Sequence, residues 1–111
     1  MKFQEKNYTL LAQDSTLEGV FHMQGQTHIS GNIKGELFMK EASPLTIELK
    51  GKIDGLIQCQ DLEIYGQVDG EIKATGKVTL YASAKVNGQI LAENLKIYPG
   101  AVLNIVGKTL N

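Results

Sequence analysis

A phrase of alternating apolar and polar residues returns six times along this chain, most clearly as Leu62-Glu63-Ile64-Tyr65-Gly66-Gln67-Val68-Asp69-Gly70-Glu71-Ile72. Its period is two, so successive side chains face opposite sides of an extended strand. A helix would space its apolar residues three and four apart. The stretches between glycines are too short and too β-branched to offer that. Aligned on the apolar residue two before the glycine, the copies fall at Leu17, Ile33, Ile53, Val68, Val86 and Val102, at intervals of 16, 20, 15, 18 and 16 residues. Repetition at this period marks a solenoid, in which each coil buries its face against the next.

The same register aligns Gly19, Gly35, Gly55, Gly70, Gly88 and Asn104 in one column. Gly and Asn tolerate positive φ, so the column predicts a corner in every coil. Phe21, Leu37, Ile57, Ile72, Ile90 and Val106 follow two residues later and point inward, as do Ile29, Ile47, Ile64, Leu80 and Ile97 ahead of the motif. Insertions such as Ala42-Ser43-Pro44 and Tyr98-Pro99-Gly100 are expected at corners. About six coils result. At ~4.8 Å between strands they make a rod on the order of 25 to 30 Å long. The expected architecture is all-β and single-domain: a tail over 1–9, a β-solenoid over 10–108 and a short tail over 109–111.

Composition narrows the function. With 11 Lys+Arg against 12 Asp+Glu the net charge is -1, and the basic surface that nucleic acid requires is missing. The single Cys59 excludes an internal disulfide framework, and no charged start followed by a long apolar run reads as a cleavable signal. Cytoplasm is the expected compartment. No stretch approaches the ~20 apolar residues that cross a bilayer, so any membrane contact is expected to be peripheral.

Constellations that could carry chemistry are few. His22 and His28 fall six apart, each beside an inward residue, and are read as surface histidines without converging ligands. Asp54 and Asp69 share an outward column with Lys52 and Glu71 nearby, a charge ladder with no cleft. Cys59 shares the inward column of Met23, Met39, Ala74 and Ala92 and is read as a buried, inert thiol. Gly70 to Lys77 fails as a phosphate loop: the glycines are one residue too far apart, and Val78 stands where a hydroxyl should meet Mg²⁺. No catalytic, cofactor or metal residue is assigned.

The ordered copies Gly31-Asn32-Ile33-Lys34-Gly35-Glu36-Leu37, Gly66-Gln67-Val68-Asp69-Gly70-Glu71-Ile72 and Ala84-Lys85-Val86-Asn87-Gly88-Gln89-Ile90, with the lead-in Thr16-Leu17-Glu18-Gly19, closely resemble a bactofilin from about Leu10 to Lys108. That resemblance implies a right-handed parallel β-helix that polymerises end to end, without nucleotide, into non-polar bacterial cytoskeletal filaments. It implies peripheral inner-membrane contact through the N-terminal segment, here Phe3 and Tyr8, and scaffolding of cell-wall or appendage clients. The family tends to carry a Phe near its C-terminal polymer contact, whereas no Phe follows Phe38 here.

Two outward features suggest where contacts form. The columns Glu18, Lys34, Asp54, Asp69, Asn87 and Val20, Glu36, Leu56, Glu71, Gln89 turn apolar together in the last copy, at Leu103 and Ile105. With Val102 and Val106 they define the expected C-terminal polymer interface, and Leu11, Leu17, Val20 and Phe21 the N-terminal one. Tyr65, Tyr81 and Tyr98 are expected to stack as an exposed ladder, a lateral or client face. Two alternatives accompany the scaffold. One is a hexapeptide-repeat acyltransferase-like enzyme on a left-handed β-helix, suggested by Leu62, Val68, Ala74, Leu80, Val86 and Ala92 recurring at six. The other is a non-polymerising β-helical adaptor.

Overall fold

The computed structural model describes residues 8–11 and 16–109, with side chains over 16–104. Strands alternate short and long along the chain: β1 (Tyr8–Leu11), β2 (Thr16–Met23), β3 (Gln26–Ile29), β4 (Asn32–Met39), β5 (Leu45–Ile47), β6 (Lys52–Cys59), β7 (Leu62–Ile64), β8 (Gln67–Ala74), β9 (Lys77–Leu80), β10 (Lys85–Ala92), β11 (Asn94–Ile97) and β12 (Val102–Thr109). Each pairs in parallel with the strand two further on. The short strands therefore make one six-stranded sheet and the long strands another. One short and one long strand make a rung, and six rungs stack as a β-solenoid.

Parallel sheets covered on both faces need apolar residues throughout. Here one face looks into the core and the other into solvent, which is why a parallel fold carries alternating strands. The inward columns are closed. Ile29, Ile47, Ile64 and Leu80 stack at 0% exposure, with Ile33, Ile53, Val68 and Val86 at 0 to 1% opposite them. Side chains satisfy the corners: Ser43 Oγ accepts from the Gly25 amide at 2.8 Å, and Asp61 Oδ1 accepts from the Lys77 amide at 3.0 Å. The expected insertions do lie between strands.

Two expectations change. Tyr8 and Thr9, read as tail, belong to β1 and pair with Gln26 and Thr27 of β3, and Thr109 closes β12 opposite Ala92. The glycine column lies inside the long strands, with the ladder running through it. Gly35, Gly55, Gly70 and Gly88 hold φ of 131°, 141°, 135° and 129°, and a Cβ on each would meet the carbonyl oxygen of the glycine one rung earlier. Positive φ and close approach of backbones both demand glycine.

Candidate functional site

Each core column ends where the stack ends. Ile97 continues the column of Ile29, Ile47, Ile64 and Leu80, yet it is 47% exposed, because among the described residues no strand lies beyond β11 in its sheet. Leu95 closes the column of Leu45, Leu62 and Val78 and is only partly buried, where Leu45, Leu62 and Val78 are sealed. Among the described residues β11 and β12 are the last strands of their sheets, and the backbone groups on their outer edges have no ladder partner there. An apolar core cross-section framed by two open edges is a surface made for another rung.

The last long strand sits one residue away from its expected register. Val86 pairs with Leu103, Asn87 with Asn104, Gly88 with Ile105 and Gln89 with Val106. Leu103 is thus the inward, half-buried residue, while Val102 lies opposite Lys85 and is 49% exposed. Ile105, not Asn104, occupies the glycine column, and Gly107 falls opposite Ile90. The turn sets this register. Tyr81 to Ala84 closes with an Ala84 amide bonded to the Tyr81 carbonyl at 2.9 Å, and Tyr98 to Ala101 repeats it at 3.3 Å. The residue after each turn then begins the strand. Matching Tyr81-Ala82-Ser83-Ala84 to Tyr98-Pro99-Gly100-Ala101 in the sequence would have revealed the step of 17. Asn104 also donates to Asn87 Oδ1 at 3.1 Å, as Asn87 donates to Asp69 Oδ1 at 2.8 Å.

At the other end β1 and β2 are the outermost strands. Leu11 heads the Ile29 column in register, Leu17 is half-buried and packs on the core, and Val20 is 49% exposed. Phe21 differs from expectation: at 5% exposure it belongs to the core, so Leu17 and Val20 carry the described apolar surface there. Phe3 lies outside the described residues. Tyr8, Ile105 and Val106 are placed by backbone alone.

The tyrosine ladder forms. Ring centroids of Tyr65 and Tyr81 are 4.2 Å apart at 3°, those of Tyr81 and Tyr98 are 5.1 Å apart at 9°, and Lys96 Nζ sits 5.0 Å from the Tyr98 centroid. A hydrogen bond with Tyr65, then local desolvation and the nearby Glu63 carboxylate, pushes the Tyr81 phenol up to about 12. Asp69 and both histidines are engaged, whereas Asp54 is exposed with no side-chain hydrogen bond to Asp69. Asp69 accepts from Gln67 at 3.1 Å and lies 3.7 Å from Lys52 Nζ. His28 Nδ1 meets Glu48 Oε2 at 2.5 Å, and His22 stacks on Phe38 at 5.0 Å. Burial, then the Asp61 charge, pushes the Cys59 thiol up to about 12, which keeps it protonated and unreactive. Among the described residues no group of three or more His, Cys, Asp or Glu could hold a metal ion.

A family model described as Bactofilin, polymer-forming cytoskeletal, matches residues 9–107. A curated relative, bactofilin BacO of Myxococcus xanthus (strain DK1622), is 32% identical over 93 residues, 84% of this chain and 72% of that protein. No solved structure matches the chain significantly.

Proposed function

The chain belongs to the bactofilin family of polymer-forming cytoskeletal proteins, and we propose that it polymerises by stacking the open ends of its solenoid on those of neighbouring copies, without nucleotide. One observation carries this reading: the Ile97 column is sealed from Ile29 through Leu80 and half-open at the last rung. A docked copy would bury Ile97, Leu95 and Leu103 at one end and Leu17 and Val20 at the other. It would also extend both sheets across the junction, each edge hydrogen bond contributing about 0.5 to 1.5 kcal/mol. The net charge of -1 leaves little repulsion to oppose repeated addition. Val102, exposed at the start of β12, rims this surface, and Ile105 and Val106 follow on the edge strand.

Bactofilins are structural proteins, and we read this chain as a scaffold without catalytic activity. Both histidines are held in surface contacts, which supports that reading over a hexapeptide-repeat enzyme. The proposal places the scaffold in the cytoplasm, serving cell-wall or appendage clients, with residues 1–8 touching the inner face of the membrane through Phe3 and Tyr8. No helix among the described residues is long and apolar enough to cross a membrane, and peripheral contact needs none. Electron microscopy of nucleotide-free protein is the test. Filaments are expected, and discrete monomers or compact trimers at high protein concentration would refute axial assembly. Liposome co-sedimentation that is unchanged on deleting residues 1–8 would remove the tail as the membrane contact.

A further inference from the structure

The outer face of the short-strand sheet is divided by charge along the solenoid axis. Rungs three and four present Glu48, Asp61 and Glu63, and rungs five and six present Lys77 and Lys96. A shallow groove of about 400 Å³ runs lengthwise over this face. Its floor includes Thr46 and Thr79, outward residues only 8% and 7% exposed beneath their longer neighbours. Tyr81 and Tyr98 of the ladder form one wall.

We propose that this face is a lateral docking surface whose occupant is the same face of a second copy, running antiparallel in a neighbouring filament. The charge order selects the occupant. A two-fold axis across the groove between rungs four and five lays the acidic rungs of each copy over the basic rungs of the other, and Asp61 then faces the partner's Lys77. Parallel placement in register sets acid over acid and base over base. Sliding it by two rungs to relieve that uncovers nearly half the face. The ladder adds flat, amphipathic rings to the seam, whose apolar bodies lose water while the hydroxyls keep polar partners.

Size decides when the contact operates. Five rungs at ~4.8 Å and five residues at ~3.3 Å span roughly 400 Å² per copy, about half of the ~800 Å² per partner typical of a stable pair. Two isolated subunits are therefore not held. Two polymers presenting the face at regular intervals are, because each contact raises the effective concentration of the next. The proposal rests on axial polymerisation and goes beyond it.

The test compares wild-type protein with an acidic-face variant, Lys77→Glu with Lys96→Glu, and a basic-face variant, Asp61→Asn with Glu63→Lys. Asp61→Asn keeps the acceptor for the Lys77 amide. Wild-type filaments are expected to pair side by side at about 0.01 M salt and to separate near 1 M, where screening shortens the Debye length from ~30 to ~3 Å. Each variant alone should give single filaments with low-speed pelleting lost. Mixing preformed filaments of the two should restore bundles. Wild-type filaments that stay single at low salt, as a face reserved for another protein would leave them, overturn the proposal; so do bundles that persist in both variants. Absence of any wild-type filament would instead refute axial assembly itself.

Discussion

Ile97→Ala and Ile97→Arg separate assembly from folding at a single residue. Burying a whole Ile side chain contributes roughly 1.5 to 3 kcal/mol. The fold already covers about half of Ile97, leaving 47% exposed, so a docked neighbour recovers about 0.7 to 1.4 kcal/mol. Ile97→Ala should therefore raise the critical concentration for polymerisation by about 3- to 10-fold, at roughly 1.4 kcal/mol per factor of ten. A junction that brings two Ile97 side chains together would approximately square that factor. Ile97→Arg places an unpaired charge in the contact, worth about 3 kcal/mol or more, and should raise the critical concentration by over ~100-fold. Folding is touched less, because the half already buried limits the loss for Ile97→Ala to about 1 kcal/mol. Ile64→Ala, in the same column at 0% exposure, should cost about 2 to 5 kcal/mol of stability. Leu49→Ala controls for apolar exposure away from the ends: Leu49 is 64% exposed in the turn after β5, and its loss should leave assembly unchanged. The assay is sedimentation across a concentration series, with thermal melts of the same samples. Polymerisation of Ile97→Arg at the wild-type critical concentration would refute the end-to-end reasoning.

Gly70→Ala forces a side chain onto φ +135° and into the Gly55 carbonyl; the backbone strain alone costs about 1 to 3 kcal/mol. Urea unfolding should show a loss at the upper end of that range or beyond, and a change within ~0.5 kcal/mol, the usual scatter of surface substitutions, would contradict the glycine ladder. Cys59, whose thiol sits at about 12 in the fold against 9.0 unperturbed, should resist alkylation at pH 8 until the protein is unfolded. Because the unfolded thiol ionises first, its contribution to stability is intact below pH 9 and is lost progressively between pH 9 and 12; Cys59→Ala should flatten that part of the pH profile. Tyr65→Phe removes the hydrogen bond that chiefly raises Tyr81, so the last phenol in an ultraviolet titration should ionise at lower pH, and an unmoved final step would deny that bond.

Much of the fold was legible in the chain because the inward columns repeat locally. Alternation at period two identified strands, and recurrence at 15 to 20 residues identified coils. The columns through Ile64, Val68 and Ile72 are buried as the pattern required. The ladder of Tyr65, Tyr81 and Tyr98 was legible for the same reason, since identical offsets in successive coils become neighbours when coils stack. Register in the final rung was not. Aligning Asn104 with the column glycines put Val102 inward in place of Leu103, whereas the turn from Tyr98 to Ala101 copies the turn from Tyr81 to Ala84 and shifts the strand by one. A shift of one residue reverses which side chains face the core.

The candidate site divides in the same way. Sequence alone determined that the chain is a stack with two ends, because a repeat that buries itself against its neighbours leaves its first and last copies half-covered. Which residues remain uncovered was decided by the tertiary structure. Phe21 is enclosed although it belongs to the first long strand, and Ile97 is half-open although four residues of its column are sealed. Exposure is a property of what lies one rung above or below, some 17 residues away in the chain, and no local pattern encodes it. The charge division of the lateral face is of the same kind: Asp61, Glu63, Lys77 and Lys96 are unremarkable in order, and become an acidic half beside a basic half only when parallel pairing lays their strands side by side.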